Sequence, residues 1–230
     1  RQMCIRDRRW TVAQPDGDLA ANLAEECEIH PFLALLLTTR GVTNLEEATD
    51  FLVNGEIGDD VFAFADMDAA VERIQRAIDS YERIAVFGDY DADGVCATAI
   101  LVDCLRVAGA DAIYYLPSRH GEGYGLHEAA LRDIAGGGVR LVVTVDTGIN
   151  ALEQARACRA LGMDLIVTDH HLPGAELPDA CAVVAQARPG LPAPEAGLCG
   201  AGVAFQLSRA LDPDGPYQKR LALAAGKQTD

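Results

Sequence analysis

Positive charge is scarce in this 230-residue chain: 19 Lys and Arg stand against 35 Asp and Glu, a formal net charge of −16. A surface that coats nucleic acid needs Lys and Arg to displace phosphate counterions. The balance therefore excludes a general nucleic-acid-coating role and predicts that this segment alone grips any nucleic-acid substrate weakly. No apolar run approaches the ~20 residues that cross a bilayer; the longest candidate, Pro31 to Leu37, is far too short. No signal peptide stands out, and the seven cysteines lack the spacing of a disulfide framework. Those two absences point to a reducing, cytoplasmic setting. No Gly-rich turn of the kind that lets backbone amides meet a pyrophosphate follows the first apolar strand, which argues against a dinucleotide cofactor. Disorder is excluded too, because half the residues are hydrophobic.

The length allows one α/β core with a small extra subdomain. Arg1 to Arg9 is basic, follows no helical period and begins before any Met, so residues 1–17 read as a foreign or disordered leader. Residues 18–82 read as a helical N-terminal region. Asp18 to Leu37 is helix-prone with an interruption at Pro31. Thr43-Asn44-Leu45-Glu46-Glu47 is a capping signal for a helix through Leu52, and Asn54 to Phe64 is a Gly- and Asp-rich loop. Asp68 can cap a helix whose apolar positions Val71, Ile74 and Ile78 keep a helical period.

From Arg83 the pattern changes. Short apolar runs at 84–87, 113–116, 141–145, 165–168 and 182–184 alternate with helical segments at 95–108, 128–134 and 151–161. A helix opened by Gly200-Ala201-Gly202 runs to Leu211, and Gln218 to Ala225 is a last helix. This alternation predicts an α/β fold: a parallel, Rossmann-like sheet flanked by helices and preceded by the helical lead-in. Residues 83–230 form that domain, and the chain stops at Asp230 with no turn or tail, as a piece of a longer protein does.

What is abundant is acid at the strand exits. Asp89-Tyr90-Asp91-Ala92-Asp93-Gly94 follows the first strand, Asp146-Thr147-Gly148 the third, and Asp169-His170-His171 the fourth. In parallel sheets ligands bind beyond the carboxyl ends of the strands. Carboxylates and imidazoles crowded at one such edge repel or desolvate badly unless a cation sits among them. Oxygen ligands suit Mg²⁺ or Mn²⁺, and imidazole shifts the balance toward Mn²⁺. Taken one at a time these clusters have plainer explanations, as an acidic turn with a helix cap, a lone cap at Asp146 and a surface His-His turn. Together at one edge they point to a metal-dependent phosphoester hydrolase.

The stretches VFGDYDADGVCATAIL (86–101), RHGEGYGL (119–126), VTVDTGINALEQA (143–155), VTDHHLPG (167–174) and LCGAGVAFQL (198–207) resemble the DHH phosphoesterase superfamily, named for the triplet present here as Asp169-His170-His171. Within it they are most similar to the RecJ family of bacterial single-strand-specific exonucleases, and HPFLALLLTTRGVTNLEEATDFL (30–52) resembles that family's N-terminal region. The resemblance implies two Mn²⁺ or Mg²⁺ ions held by Asp91, Asp93, Asp146 and His170, with Asp146 bridging. Asp89 and Asp169 would orient the ligands, and His171 would contact the scissile phosphate or position the nucleophile. Arg119 would pair with a phosphate oxygen. Gly123, Tyr124 and Gly125 would let backbone approach the substrate, and Gly200 and Gly202 at a helix start would form an anion pocket or, equally, serve tight helix packing. A further family ligand falls on Asp230, where only Ala224, Gly226 and Asp230 agree with the family's Ala-Leu-Gly-Thr-Ile-Ala-Asp. Ala185-Gln186 stand where the family has Asn-Pro.

The implied activity is 5′-to-3′ hydrolysis of single-stranded DNA in repair and recombination. The partners implied are the DNA strand, gripped by the full-length protein, together with a helicase and a single-strand-binding protein. Two alternatives are a smaller DHH phosphodiesterase of short oligonucleotides or cyclic dinucleotides, disfavoured by the helical lead-in, and a non-catalytic replication scaffold. Retention of Asp91, Asp93, Asp146, His170 and His171 argues against the scaffold.

Overall fold

The computed structural model describes residues 14–54, 60–118, 125–190 and 197–212. The chain divides into two compact units, Arg1–Glu56 and Ile57–Asp230.

The first unit holds α1 (Gly17–Glu26), α2 (Pro31–Thr38) and α3 (Leu45–Thr49), the last running into a π-helical turn, Asp50–Asn54. Each start is set by a local side chain. Asp16 Oδ1 accepts from the amides of Asp18 and Leu19 and so caps α1. His30 Nδ1 accepts from Phe32 N with Pro31 in the first turn, so this proline opens a helix instead of only breaking one. Asn44 Oδ1 accepts from Glu47 N while Glu47 Oε2 takes Thr43 N, the reciprocal cap expected from the sequence. Leu23, Ala34, Leu37, Val42 and Ala48 form a small core of their own.

In the second unit a 3₁₀ turn (Val61–Ala63) and α4 (Met67–Asp79) precede five strands: β1 (Arg83–Phe87), β2 (Ala112–Tyr115), β3 (Val139–Val145), β4 (Asp164–Asp169) and β5 (Ala182–Ala185). Between and after them lie α5 (Ala92–Val107), α6 (Glu128–Gly136), α7 (Leu152–Ala160) and α8 (Gly200–Leu211). All four pairings are parallel and the order is β2-β1-β3-β4-β5. The strands are apolar on both faces, as helices on each side require. Alternate residues sort cleanly: Ile84, Val86, Leu141 and Val143 join α4, α5 and α8 in one core, whereas Ala85, Phe87, Val142 and Leu165 join α6 and α7 in the other.

Helix α4 packs with the sheet, through Met67, Ala70, Ile74 and Ala77, rather than with the lead-in where its helical character alone had grouped it. Its cap differs too. Asp66 is the N-cap residue, in a left-handed conformation and with no side-chain cap, and Asp68 lies in the first turn. The segment Gln218 to Ala225 lies outside the described residues. Among the described residues no helix is long and apolar enough to cross a membrane.

The strand order explains where the acidic clusters meet. The chain leaves β1 for β2 on one side and returns to β3 on the other, so the topological switch point falls between β1 and β3. Register then brings the motifs level. Phe87 pairs with Thr144 and Val145 with Thr168. Carried past the strand ends, that register sets Asp89, Asp146 and Asp169 side by side.

Candidate metal centre

Asp91 is the N-cap of α5, its Oδ1 accepting from Gly94 N at 2.9 Å, and Asp93 lies in the first turn. Both carboxylates suit the positive end of the helix. The sharp entry depends on Gly94: a Cβ there would stand 2.6 Å from the backbone N and O of Asp89. Asp93 is held from the far end of the unit. Its two oxygens accept from Gly200 N and Ala201 N, both at 2.7 Å, at the start of α8.

Asp146 is 2% exposed and adopts φ 58°, a left-handed conformation that Asp tolerates better than most residues. His170 Nε2 approaches its Oδ1 to 3.0 Å and Asp93 Oδ2 to 3.6 Å. The close approach to Asp146 is not aligned as a hydrogen bond, and Asp146 Oδ1 has no hydrogen-bond partner. A buried carboxylate oxygen and an imidazole nitrogen thus converge outside hydrogen-bond alignment, as two ligands of one cation do. Asp169 takes four hydrogen bonds: Oδ1 from the amides of His170 and His171 and from His171 Nδ1 at 2.7 Å, and Oδ2 from Ile149 N.

Two triplets can each close on an ion. Ligand-type atoms of Asp89, Asp91 and Asp146 lie within 4.8 Å of one another, as do those of Asp146, His170 and His171. Asp146 belongs to both. Its carboxyl is pushed up to about 7, first by burial and then by the charges of Asp93 and Asp91, with Asp169 adding and His171 opposing. For His171 burial alone would lower the pKa, but the hydrogen bond and charge of Asp169, then Asp146 and Asp89, raise it. The donor set of carboxylate oxygens with imidazole nitrogen fits Mn²⁺ or Mg²⁺, and a divalent cation would relieve the repulsion that Asp146 bears.

The profile of the DHH family, N-terminal domain, matches residues 83–225. The chain belongs to the DHH family. Over 210 residues it is 43% identical to the single-stranded-DNA-specific exonuclease RecJ of Bacillus subtilis, covering 91% of this chain and 27% of that protein. The Escherichia coli RecJ is 38% identical over 185 residues, 80% of this chain and 32% of the relative. Among solved structures, RecJ in complex with Mn²⁺ from Thermus thermophilus superposes with a TM-score of 0.69 at 30% identity, over 96% of this chain and 32% of that one. An exonuclease RecJ bound to manganese gives 0.65 at 35% identity, over 73% and 43%. The chain thus spans about a quarter to a third of the length of its curated RecJ relatives.

Within this DHH fold the sequence-derived site residues divide into four groups. Asp89, Asp91, Asp93, Asp146, Asp169, His170 and His171 all gather at the switch point. Gly125, at φ 82°, lies against Thr147 and lines a cavity beside His171. Arg119, Gly123, Tyr124 and Asp230 lie outside the described residues. Gly200 and Gly202 lie at the start of α8, where the sequence places them. The anion at this helix start is the chain's own Asp93 carboxylate, which takes the Gly200 amide. Gly202 faces Leu198 instead, 3.2 Å from where a Cβ would sit. Gly200 matters for closeness: a Cβ on it would stand 2.5 Å from Asp146 Oδ1. His127 packs edge-on against Phe87 and Tyr115.

Sequence reasoning missed Asn150. Its Oδ1 accepts from Gly174 N at 2.6 Å and its Nδ2 donates to Leu172 O at 3.1 Å, lacing the turn after β3 to the turn after β4. Neither periodicity nor charge marks such a residue; only the adjacency of β3 and β4 does.

Proposed function

We propose that this chain carries the metal-binding part of a RecJ-type exonuclease that hydrolyses single-stranded DNA from the 5′ end with two Mn²⁺ or Mg²⁺ ions. The observation that carries it is the sharing of buried Asp146 between two ligand triplets. Asp91, with Asp89 beside it, would hold one ion, and His170, with Asp93 Oδ2 nearby, the other. When bound, two such ions supply an activated water and charge stabilisation at phosphorus.

The chain's own residues do the rest. Asp169 fixes the His171 imidazole through Nδ1, turning the ring so that it can meet a phosphate oxygen. The start of α8 holds Asp93 through both oxygens and sets its rotamer. Ile149 N anchors Asp169 from the neighbouring turn, so the third and fourth strand exits move as one piece. This chain's charge of −16 leaves the strand to be gripped elsewhere in the longer protein. A cytoplasmic setting, with a helicase and a single-strand-binding protein as partners, fits that role.

The test is nucleotide release from 5′-labelled single-stranded DNA by the full-length protein that carries this chain, with Mn²⁺, beside its Asp146→Ala variant. A loss of about three orders of magnitude or more is expected from removing the shared ligand. Equal rates in the two proteins would overturn the two-ion assignment. Strong cleavage of cyclic dinucleotides with none of long DNA would favour the smaller-phosphodiesterase reading.

A further inference from the structure

Beside the metal centre lies a cavity of about 550 Å³. One wall is Asp169 and His171; the others include Gly125, Thr147, Gln154 and Leu172. The volume is in the range of sites that hold a small organic group, roughly 300–1,000 Å³. The described lining contains no Lys or Arg, and its one carboxylate, Asp169, repels anions. The apolar wall residues Leu126, Ile149, Ala151 and Leu172 suit a neutral, partly apolar group.

Two wall residues have spare capacity. Leu172 is 80% exposed, a large apolar side chain at the mouth that the described residues leave uncovered. Gln154, half-buried on α7, lines the cavity, and no described residue takes its carboxamide in a hydrogen bond. The wall is also prebuilt. Asn150 spends its own carboxamide on Leu172 O and Gly174 N and so holds the His171–Leu172 turn in place before any ligand arrives.

We infer that this cavity seats the nucleoside joined to the scissile phosphate, its base against Leu172 and its polar edge or sugar hydroxyl toward Gln154. The inference rests on the proposed phosphodiesterase reading and goes beyond it. A phosphodiester lodged at His171 and the ions must send one neighbouring nucleoside along this wall. A carboxamide offers both a donor and an acceptor, so it can serve any base, as an enzyme indifferent to sequence requires.

The experiment uses the full-length protein with Mn²⁺ and three substrates. These are a single-stranded oligonucleotide, the same strand with an abasic nucleotide at its 5′ end, and bis(p-nitrophenyl) phosphate, a diester with no nucleoside. Leu172→Ala and Gln154→Ala should raise KM for the normal strand about tenfold. The loss on bis(p-nitrophenyl) phosphate should be smaller by a factor of about five or more, because its nitrophenyl ring is smaller than a nucleoside and brings no sugar hydroxyl or base edge to the wall. On the abasic strand Leu172→Ala should add less than about a twofold loss, since the base it meets is already gone. Equal losses on all three substrates would mean that the wall merely supports the metal centre, and the cavity assignment would fall. No loss on any would overturn it as well. A wild-type protein that cleaves bis(p-nitrophenyl) phosphate but not DNA would sink the exonuclease reading itself.

Discussion

At the scale of single residues, the centre turns on a carboxylate that is costly to keep. Asp146 combines burial, a left-handed backbone and the nearby charges of Asp93 and Asp91. Its place after β3 was plain from Val-Asp-Thr-Gly at a strand exit. Its φ and its neighbours were not, because both depend on how β1 and β4 flank β3. The metal-free protein should show the cost. A carboxyl held at about 7 in the fold, above its ordinary value, lends stability that is fully present below about pH 4 and is lost as the pH rises through 7. Asp146→Asn cannot ionise and keeps a side chain that tolerates left-handed backbone. With chelator present it should be about 1–3 kcal/mol more stable than wild type at pH 8 and keep about a third of that advantage at pH 5, because the loss begins above the ordinary carboxyl value. Urea midpoints at the two pH values measure this; a wild type that outlasts the variant at pH 8 without metal would contradict it. Gly200 makes the complementary point. Glycine at a helix start signalled an anion, and an anion is there, but it is Asp93 from 107 residues away, a packing partner that no local pattern names.

At the scale of elements, the strands were legible because each is apolar across both faces and bounded by turns. Their ends moved by only a residue or two once pairing was seen. The N-terminal cap of α4 was not legible. Asp68 has the right spacing, yet Asp66 occupies the position and spends its carboxylate on tertiary partners: Oδ2 accepts from Val183 N at 3.0 Å on β5 and pairs with Arg188 at 2.8 Å. Beside it the 7%-exposed Arg73 of α4 reaches Asp164 at the start of β4 and Glu82. These polar ties fasten α4 to the far side of the sheet, which hydrophobic periodicity alone cannot reveal. Asp66→Ala removes both bonds and leaves a β-carbon at φ 61° without compensation. It should cost about 2–4 kcal/mol, and Asp66→Gly about 1 kcal/mol less because the backbone term vanishes. Chemical unfolding of the three proteins checks the order; a glycine variant weaker than the alanine one would refute the account.

At the scale of the whole molecule, the alternation of strand and helix announced a parallel sheet, while the order of its strands stayed hidden. Nothing local says that β2 lies outside β1, yet that placement creates the switch point where the three motifs meet. Composition groups α4 with the lead-in because both are helical, and the packing of α4 on the sheet is likewise hidden from it. The structure puts the sheet, α4 and every described candidate ligand in Ile57–Asp230, and leaves the lead-in a core of its own. A cation bound at the centre should therefore stabilise one unit and not the other. Ligand binding at about a hundredfold excess over Kd contributes about 2.7 kcal/mol. Hydrogen exchange in saturating Mn²⁺ should then slow the core amides of β1, β3 and β4 by about a hundredfold, because these open only when the sheet unit unfolds. Amides of α1 and α2 should exchange within about twofold of their metal-free rates. Equal slowing in both units would mean that they unfold as one body, and no slowing in β3 would mean that the acidic centre does not hold the ion.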